Sequence, residues 1–345
     1  MPRGDLQNAR AERRPAASLP RAEGVRAGSS RISSRGTVVR IAVLIPCFNE
    51  ETTIAKVTAD FRSALPDADI YVYDNNSTDL TVERANAAGA VVRHHPVQGK
   101  GHVVRRMFAD VEADVYVLVD GDDTYDAAAV PELVALLLDD KLDFVNAARA
   151  SDQGLAYRPG HRFGNAAFTQ LVQLIFGHAF TDILSGYKVL SRRFVKTFPA
   201  MSGGFEIETE LAVHALELDV PRAERAVPYK DRPEGSVSKL RTFRDGFHIL
   251  MLISRLVKDE RPLQFFGMIG LFSAVIGVIL GEPIIETYLE TGLVPRFPTA
   301  FLAVGLMIIA VVSVFTGVIL DVVTKTRREM KRLAYLSLPS AEGRR

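Results

Sequence analysis

The sequence predicts an α/β fold in which a mostly parallel sheet carries helices on both faces and is followed by an amphipathic helix and two C-terminal transmembrane helices. Three observations predict it. Short apolar, β-branched runs alternate with helix-length amphipathic stretches from Val38 onward, polar clusters close several of those runs, and two long stretches near the C-terminus carry no charge. Alternation of this kind implies βαβ units and a parallel sheet, whose ligands collect where the strands end.

In chain order, Val38 to Pro46 reads as a buried strand and Glu51 to Ala64 as a helix opened by acids. Ile70 to Tyr73 is a strand, Leu80 to Ala88 a helix, Ala90 to Arg93 a short strand and His102 to Val111 a helix. Val115 to Val119 is the clearest strand, a continuous apolar run covered on both faces. Val130 to Leu138 is helical, Phe144 to Ala147 extended, Phe163 to Phe176 an amphipathic helix, Tyr187 to Leu190 a strand and Glu206 to Leu218 a helix. Thr242 to Lys258 places Phe243, Phe247, Leu250, Met251, Ile253 and Val257 near helical spacing, which suits either a core helix or one lying on a bilayer.

Leu263 to Leu280 and Phe297 to Leu320 each approach the roughly 20 apolar residues that cross a bilayer. Lys258 and Arg261 precede the first span, and Lys325, Arg327, Arg328, Lys331 and Arg332 follow the second. Glu282, Glu286 and Glu290 lie in the expected connection with Arg296, so the positive-inside rule places both outer flanks, and the main domain, in the cytoplasm. The expected domains are an Arg-rich disordered tail (1–36), a cytoplasmic catalytic domain (37–239), an interfacial helix (240–260), a two-helix membrane domain (261–325, spans about 263–281 and 297–320) and a basic cytoplasmic tail (326–345). The tail 1–36 holds eight Arg against three acids and no apolar core region, so no secretory signal is expected.

At 345 residues the chain is long enough for one large domain plus an appendage, and a net charge of only +1 argues against nucleic acid as a partner. Cys47 is the sole cysteine, which excludes an internal disulfide and a cysteine-based metal site; it reads as a small buried hydrophobe.

Chemistry concentrates at the strand ends. The strand Val115 to Val119 closes on Asp120-Gly121-Asp122, two carboxylates two residues apart. Hard oxygen ligands suit Mg²⁺ or Mn²⁺, ions usually held by one or two carboxylates plus substrate phosphates; the alternative is an acidic turn capping the next helix. Asp74 and Glu50 suit hydrogen bonds to a base or ribose, whereas Asn76, Ser77 and Asp79 also suit a turn and helix cap. Lys100, between Gly99 and Gly101 just before a helix, suits a phosphate that the backbone approaches closely.

The ordered motifs IPCFNEE, DNNSTDLT, QGKGHVVR, VDGDDTYD, TDILSGYKVLSRR, GGFEIETEL and YKDRPEGSVSKL, running from about Val38 to Lys325 together with the paired spans, resemble the family 2 glycosyltransferases. Within them the likeness is to the polyprenyl-phosphate glycosyltransferases, which include dolichyl-phosphate mannose synthases and bacterial enzymes with two trailing membrane helices. The resemblance implies a GT-A fold, an NDP-sugar donor (a UDP-sugar or GDP-mannose), Mg²⁺ or Mn²⁺, a polyprenyl-phosphate acceptor, a membrane location and self-association, a tetramer included. By position it implies that Pro46, Asn49, Glu50, Asp74, Asn76, Lys100 and Asp120 bind the nucleotide, that Asp120 and Asp122 hold the metal, and that Arg149, Arg162, Arg232 and Lys239 face the phosphates and acceptor. Asp122 and Asp182 are the expected catalytic residues. Thr124 stands where the archaeal relatives have a Gln that reaches the metal, and its hydroxyl is a poorer ligand.

The family's transfer inverts the anomeric centre in one displacement. A sugar hydroxyl acceptor requires a general base, but a phosphate monoester, with a second pKa of about 6, arrives already ionised. Asp182 is therefore expected to orient the acceptor or the basic side chains, with base catalysis second; Glu206 and Glu208 rank lower as helix N-terminal acids. A processive polysaccharide synthase is disfavoured because the chain has no Trp for a QxxRW motif. A membrane-anchored transferase acting on a glycan or protein hydroxyl, and a non-enzymatic membrane scaffold, are the remaining alternatives. A dinucleotide-dependent dehydrogenase would need GxGxxG after the first strand, where this chain reads PCFNEE.

Overall fold

The structure, a computed structural model, describes residues 32–34, 37–150, 180–204, 206–230 and 257–340. The expected helix 163–176, nearly all of the amphipathic segment 242–258, most of the N-terminal tail, and Arg162, Arg232 and Lys239 lie outside the described residues.

Two short strands, β1 (Ile32–Ser34) and β2 (Thr37–Val39), pair antiparallel ahead of the main domain. Then follow β3 (Ile41–Cys47), α1 (Ile54–Ala64), β4 (Asp69–Asp74), α2 (Thr81–Ala87), β5 (Val91–His94), α3 (Lys100–Asp110), β6 (Val115–Leu118), α4 (Val130–Asp139) and β7 (Phe144–Ala150). The second half contributes β8 (Lys188–Ser191), α5 (Arg192–Thr197), α6 (Ile207–Glu217) and β9 (Arg222–Pro228), and the chain continues into α7 (Pro262–Thr291) and α8 (Phe297–Leu336).

The main sheet has seven strands in the order β5-β4-β3-β6-β8-β7-β9. All neighbours are parallel except β8, which runs antiparallel to both β6 and β7. The period-two alternation of side chains splits the core into two layers. Val43, Ile45 and Cys47 of β3 pack with Ile54, Val57 and Phe61 of α1 and Leu133, Val134 and Leu137 of α4, whereas Ala42 and Leu44 face Val103, Met107 and Phe108 of α3 and Leu211 and Ala215 of α6. Full burial of each such large side chain stabilises by about 1.5–3 kcal/mol. Cys47 is buried as expected.

The expected α/β architecture is present, with three differences. The Tyr187 to Leu190 run is an antiparallel strand inserted between parallel ones, which delivers the loop before it to the same sheet edge as the C-terminal ends of the others. β9 was not anticipated: its Arg and Glu residues interrupt the apolar pattern because only Val227 is fully buried. The first helix begins at Ile54 rather than Glu51; the Glu50 carbonyl accepts from the Thr53 and Ile54 N–H groups, and Glu51 reaches across to the Leu80 N–H at 3.1 Å.

α7 and α8 are each long and apolar enough to cross a bilayer, and only 17% and 22% of their most apolar stretches are buried by protein, too little for core helices of a soluble domain. Both run past the expected spans. Glu282, Glu286 and Glu290 lie on the last turns of α7, not in a connection; Pro283 is absorbed, and the helix stops only at Gly292, whose φ of 69° is the left-handed cap. α8 continues from the membrane-length stretch through the basic cluster to Leu336.

Candidate active site

The sheet topology gathers at one edge the C-terminal ends of β3, β4, β6, β7 and β9, the loop before β8, and the starts of α3 and α6. Asp120 and Asp122 sit on the loop after β6. That loop is held from three sides. Thr53 donates its hydroxyl to the Gly121 carbonyl at 2.6 Å, Lys230 donates its N–H to the Thr124 carbonyl at 2.8 Å, and Lys56 pairs with Asp123 at 2.8 Å where the backbone turns left-handed (φ 58°). A side chain at Gly121 would collide with the Cys47 sulfur, so the loop passes over β3 more closely than a Cβ permits.

Asp122 is 4% exposed, and Thr124 donates both its N–H (3.3 Å) and its hydroxyl (2.6 Å) to Asp122 Oδ1. The Thr124 hydroxyl therefore orients Asp122. Asp120 lies against Gly186, where any Cβ would strike its carboxylate, and the Gly186 N–H is in turn held by the Tyr125 hydroxyl at 2.7 Å. No third His, Cys, Asp or Glu joins the two aspartates among the described residues. Two fixed hard carboxylates with the remaining positions left to phosphates and water fit Mg²⁺ or Mn²⁺.

Lys100, at the start of α3, forms ion pairs with both Asp120 and Glu208. Burial alone would lower its pKa, but the two carboxylates outweigh burial and hold the ammonium above its usual range. Glu208, almost buried at the start of α6, is pushed up by burial despite Lys100. Glu208 thus belongs to the site, although it ranked behind Asp182 on sequence; nothing in GGFEIETEL distinguishes it from its neighbours. The glycines beside Lys100 serve a different purpose from the one expected. Gly99 (φ 132°) and Gly101 admit the backbone of residues 202–203, and the Gly101 N–H donates to the Gly203 and Gly204 carbonyls at 3.1 Å each. The first turn of α3 is thereby spent on protein, and only the Lys100 side chain is directed to Asp120.

Of the residues expected to bind the nucleotide, Asp74 is 2% exposed and receives the Ser77 N–H at 3.1 Å and His94 at 2.9 Å. Glu50 is 8% exposed, with its N–H donated to Thr81 at 2.9 Å, and Pro46 lies half-buried beside them on β3. Asn49 and Asn76 are left-handed (φ 52° and 66°) and stitch loops together: Asn49 accepts from the Thr78 N–H at 2.8 Å, and Asn76 donates to the Pro96 carbonyl at 2.8 Å. Asn76 thus takes the turn role left open for it. Asn75, passed over in the sequence, accepts the Gly99 N–H at 2.7 Å and so ties the Asp74 loop to Lys100.

Beyond the aspartates, Arg149 at the end of β7 donates Nε and Nη2 to the two oxygens of Asp182 at 2.6 and 2.7 Å, and its own N–H at 3.2 Å. The pair is mostly buried, and the guanidinium stands 5.5 Å from the Tyr229 ring. Burial would raise the Asp182 carboxyl, but the Arg149 hydrogen bonds and charge overcome it and hold the pKa below the ordinary value. Beneath this pair lies Lys188, fully buried, donating to Asn146 Oδ1 at 2.9 Å and the Ser185 carbonyl at 2.6 Å, with its pKa lowered by burial to about 8. Asn146 in turn donates to the Asp182 carbonyl at 2.7 Å and to Glu224 at 2.8 Å. Lys188 and Asn146 escaped sequence reasoning because each is a single polar residue inside an apolar strand.

Residues 42–198 match the family described as Glycosyl transferase family 2. Glycosyltransferase AglJ of Haloferax volcanii is 32% identical over 303 residues, covering 86% of this chain and 98% of that protein. The dolichyl-phosphate hexose transferase of the same organism is 27% identical over 221 residues, 64% of this chain and 95% of the relative. Among solved structures, glucosyl-3-phosphoglycerate synthase from Mycobacterium tuberculosis, in complex with Mn²⁺, UDP-glucose and glycerol 3-phosphate, superposes with a TM-score of 0.52 at 26% identity, covering 64% of this chain and 79% of that one.

Proposed function

The chain is a hexosyltransferase of Glycosyl transferase family 2, and on that premise we propose that it moves a hexosyl group, with inversion, from a UDP-sugar or GDP-mannose to a polyprenyl phosphate at the cytoplasmic face of a membrane. The observation that carries the acceptor class is the Arg149–Asp182 fork. A sugar or protein hydroxyl would need a base to take its proton, and Asp182 is held below the ordinary carboxylate range by the arginine it grips. A phosphate monoester needs no such base, since its second pKa of about 6 leaves it ionised at neutral pH. It needs cations, and Arg149 is fixed at the site to supply one. The relative that acts as a dolichyl-phosphate hexose transferase and the two membrane-length helices support the same reading.

In this reading Asp74 and Glu50 receive the nucleoside, while Asp120 and Asp122 hold a divalent ion on the donor diphosphate, as the Mn²⁺ complex of the mycobacterial synthase suggests. Such an ion, held by Asp120 and Asp122, would supply positive charge to balance what develops on the departing diphosphate. Lys100 stands beside Asp120 to share this charge, Thr124 and Gly186 keep the carboxylates aimed, and Asp182 keeps the Arg149 guanidinium turned toward an incoming phosphate.

The test is to incubate the detergent-purified full chain with Mg²⁺, undecaprenyl phosphate and radiolabelled UDP-glucose, UDP-N-acetylglucosamine, UDP-galactose or GDP-mannose in turn. Label entering the organic phase names the donor. Label appearing only on water-soluble glycans or protein would replace the lipid acceptor with a hydroxyl one.

A further inference from the structure

Two elements reach the site at one end and the basic end of α8 at the other. β7 starts next to Asp143 and carries Arg149 one residue before its end; α6 starts with Glu208 in its first turn and finishes at Glu217. The stretch of α8 from Asp321 to Leu336 carries that helix about 24 Å beyond its apolar part, given the rise per residue of an α-helix. Along it, Tyr335 donates its hydroxyl to Asp143, whose carboxylate is also gripped by Arg193, and the Arg193 guanidinium stacks 4.6 Å from the Tyr335 ring. Lys331 pairs with Glu217 at 2.6 Å, and Arg327 and Arg328 donate to Glu260 at 2.7 and 2.9 Å. The side chains of Glu217 and Glu260 are 2% and 6% exposed. Removing one partner from a buried carboxylate costs far more than breaking a surface pair. A basic run after a membrane span would ordinarily be read as contact with anionic lipid. Here three of its cations are committed to protein carboxylates, and Tyr335 is buried in the same core layer as α6.

We propose that the cytoplasmic extension of α8 is a rigid stalk that sets the height and tilt of the catalytic domain over the bilayer, with Lys331 and Tyr335 as its positioning residues. Gripping β7 and α6 at the ends away from the site leaves Arg149 and Glu208 free to face the substrates while fixing their distance from the membrane. This rests on the lipid-acceptor reading above.

The test reconstitutes the full chain in phosphatidylethanolamine–phosphatidylglycerol vesicles. Transfer to undecaprenyl phosphate in the bilayer is compared with transfer to water-soluble geranyl phosphate for wild type, Lys331→Glu, Lys331→Arg and Tyr335→Phe. The expected result is a fall in kcat of about tenfold for Lys331→Glu and Tyr335→Phe on the bilayer acceptor alone, since displacements near 1 Å weaken transfer strongly. Geranyl phosphate turnover and the donor KM should hold, and Lys331→Arg should restore the rate. A second readout uses Asp67→Cys labelled with a fluorophore and an energy-transfer acceptor on the lipid headgroups; Lys331→Glu should change the dye-to-bilayer distance and Lys331→Arg should not. Equal losses on both acceptors, no loss on either, or an unchanged distance would overturn the proposal. If wild type labels neither prenyl phosphate, the acceptor reading falls instead, and the distance measurement, which needs no turnover, decides the stalk.

Discussion

Asp182 meets Arg149 in a two-point fork, and that geometry determines what its carboxylate is able to do. Its pKa lies below the ordinary value, so the pair adds stability that is present in full above the unfolded carboxylate range and is lost as pH falls through the folded value. Asp182→Asn is therefore expected to lower stability at pH 7 by about 1–3 kcal/mol, the range for a buried charge-assisted hydrogen bond. The difference from wild type should close as the solution is acidified below about pH 4, and thermal melts in detergent across pH measure both. The same variant should lose most of its transfer rate. The acid limb near pH 6 should remain, because on the lipid-acceptor reading proposed above that limb belongs to the acceptor phosphate; its disappearance would make Asp182 a base. At the other end of the site, Asp122→Asn should abolish Mn²⁺ binding in the presence of UDP, read by electron paramagnetic resonance, and cut transfer by about a hundredfold or more. Both aspartates stood out in the sequence through the ordered motifs around them, since a carboxylate pair at a strand tip taken alone also suits an acidic turn that caps a helix. Lys188 and Asn146 did not, since their importance comes from what lies beside them in space.

The loops act as elements in their own right. The turn before β8 brings Gly186 against Asp120 so closely that a methyl group has no room. Gly186→Ala should push the Asp120 carboxylate out of place and weaken metal-dependent nucleotide binding by about tenfold, a loss of 1–3 kcal/mol typical of overpacking; calorimetry with UDP and Mn²⁺, with and without the metal, reads the difference. Element identity along the first half followed from periodicity, because the central parallel strands β3 and β6 are buried on both faces and read as apolar runs. β9 was illegible for the opposite reason: on this edge strand Arg222, Glu224 and Arg225 interrupt the apolar pattern and only Val227 is fully buried. The start of α3 was legible as a helix, but the purpose of its glycines was not. Gly99 and Gly101 make room for the 202–203 backbone, about a hundred residues away in sequence, and only the folded chain brings the two together.

At the scale of the molecule, α7 and α8 meet along a seam of small residues. A Cβ on Gly270 would lie 3.0 Å from the Ala310 carbonyl, and one on Gly277 would lie 3.2 Å from the Met307 sulfur. Such close approach is what small residues permit between membrane helices. Gly277→Leu is expected to pry the pair apart at a cost of about 1–3 kcal/mol and to lower the melting temperature in detergent, whereas Gly305→Leu, which meets nothing within 4 Å, should leave it unchanged.

The order of motifs, the apolar strands and the two membrane-length stretches are local properties, written in composition and spacing, and they were enough for the fold class, the family resemblance and the Asp120–Asp122 pair. The length of α7 and α8 was underestimated because hydropathy reports where a bilayer fits and not where backbone hydrogen bonding stops. The partnerships of Asp182 with Arg149, Lys100 with Asp120 and Glu208, and Tyr335 with Asp143 came from the fold alone. A salt bridge or hydrogen bond depends on distance in space, and residues separated by 33, 20, 108 and 192 positions acquire that distance only when the sheet and its helices close around them.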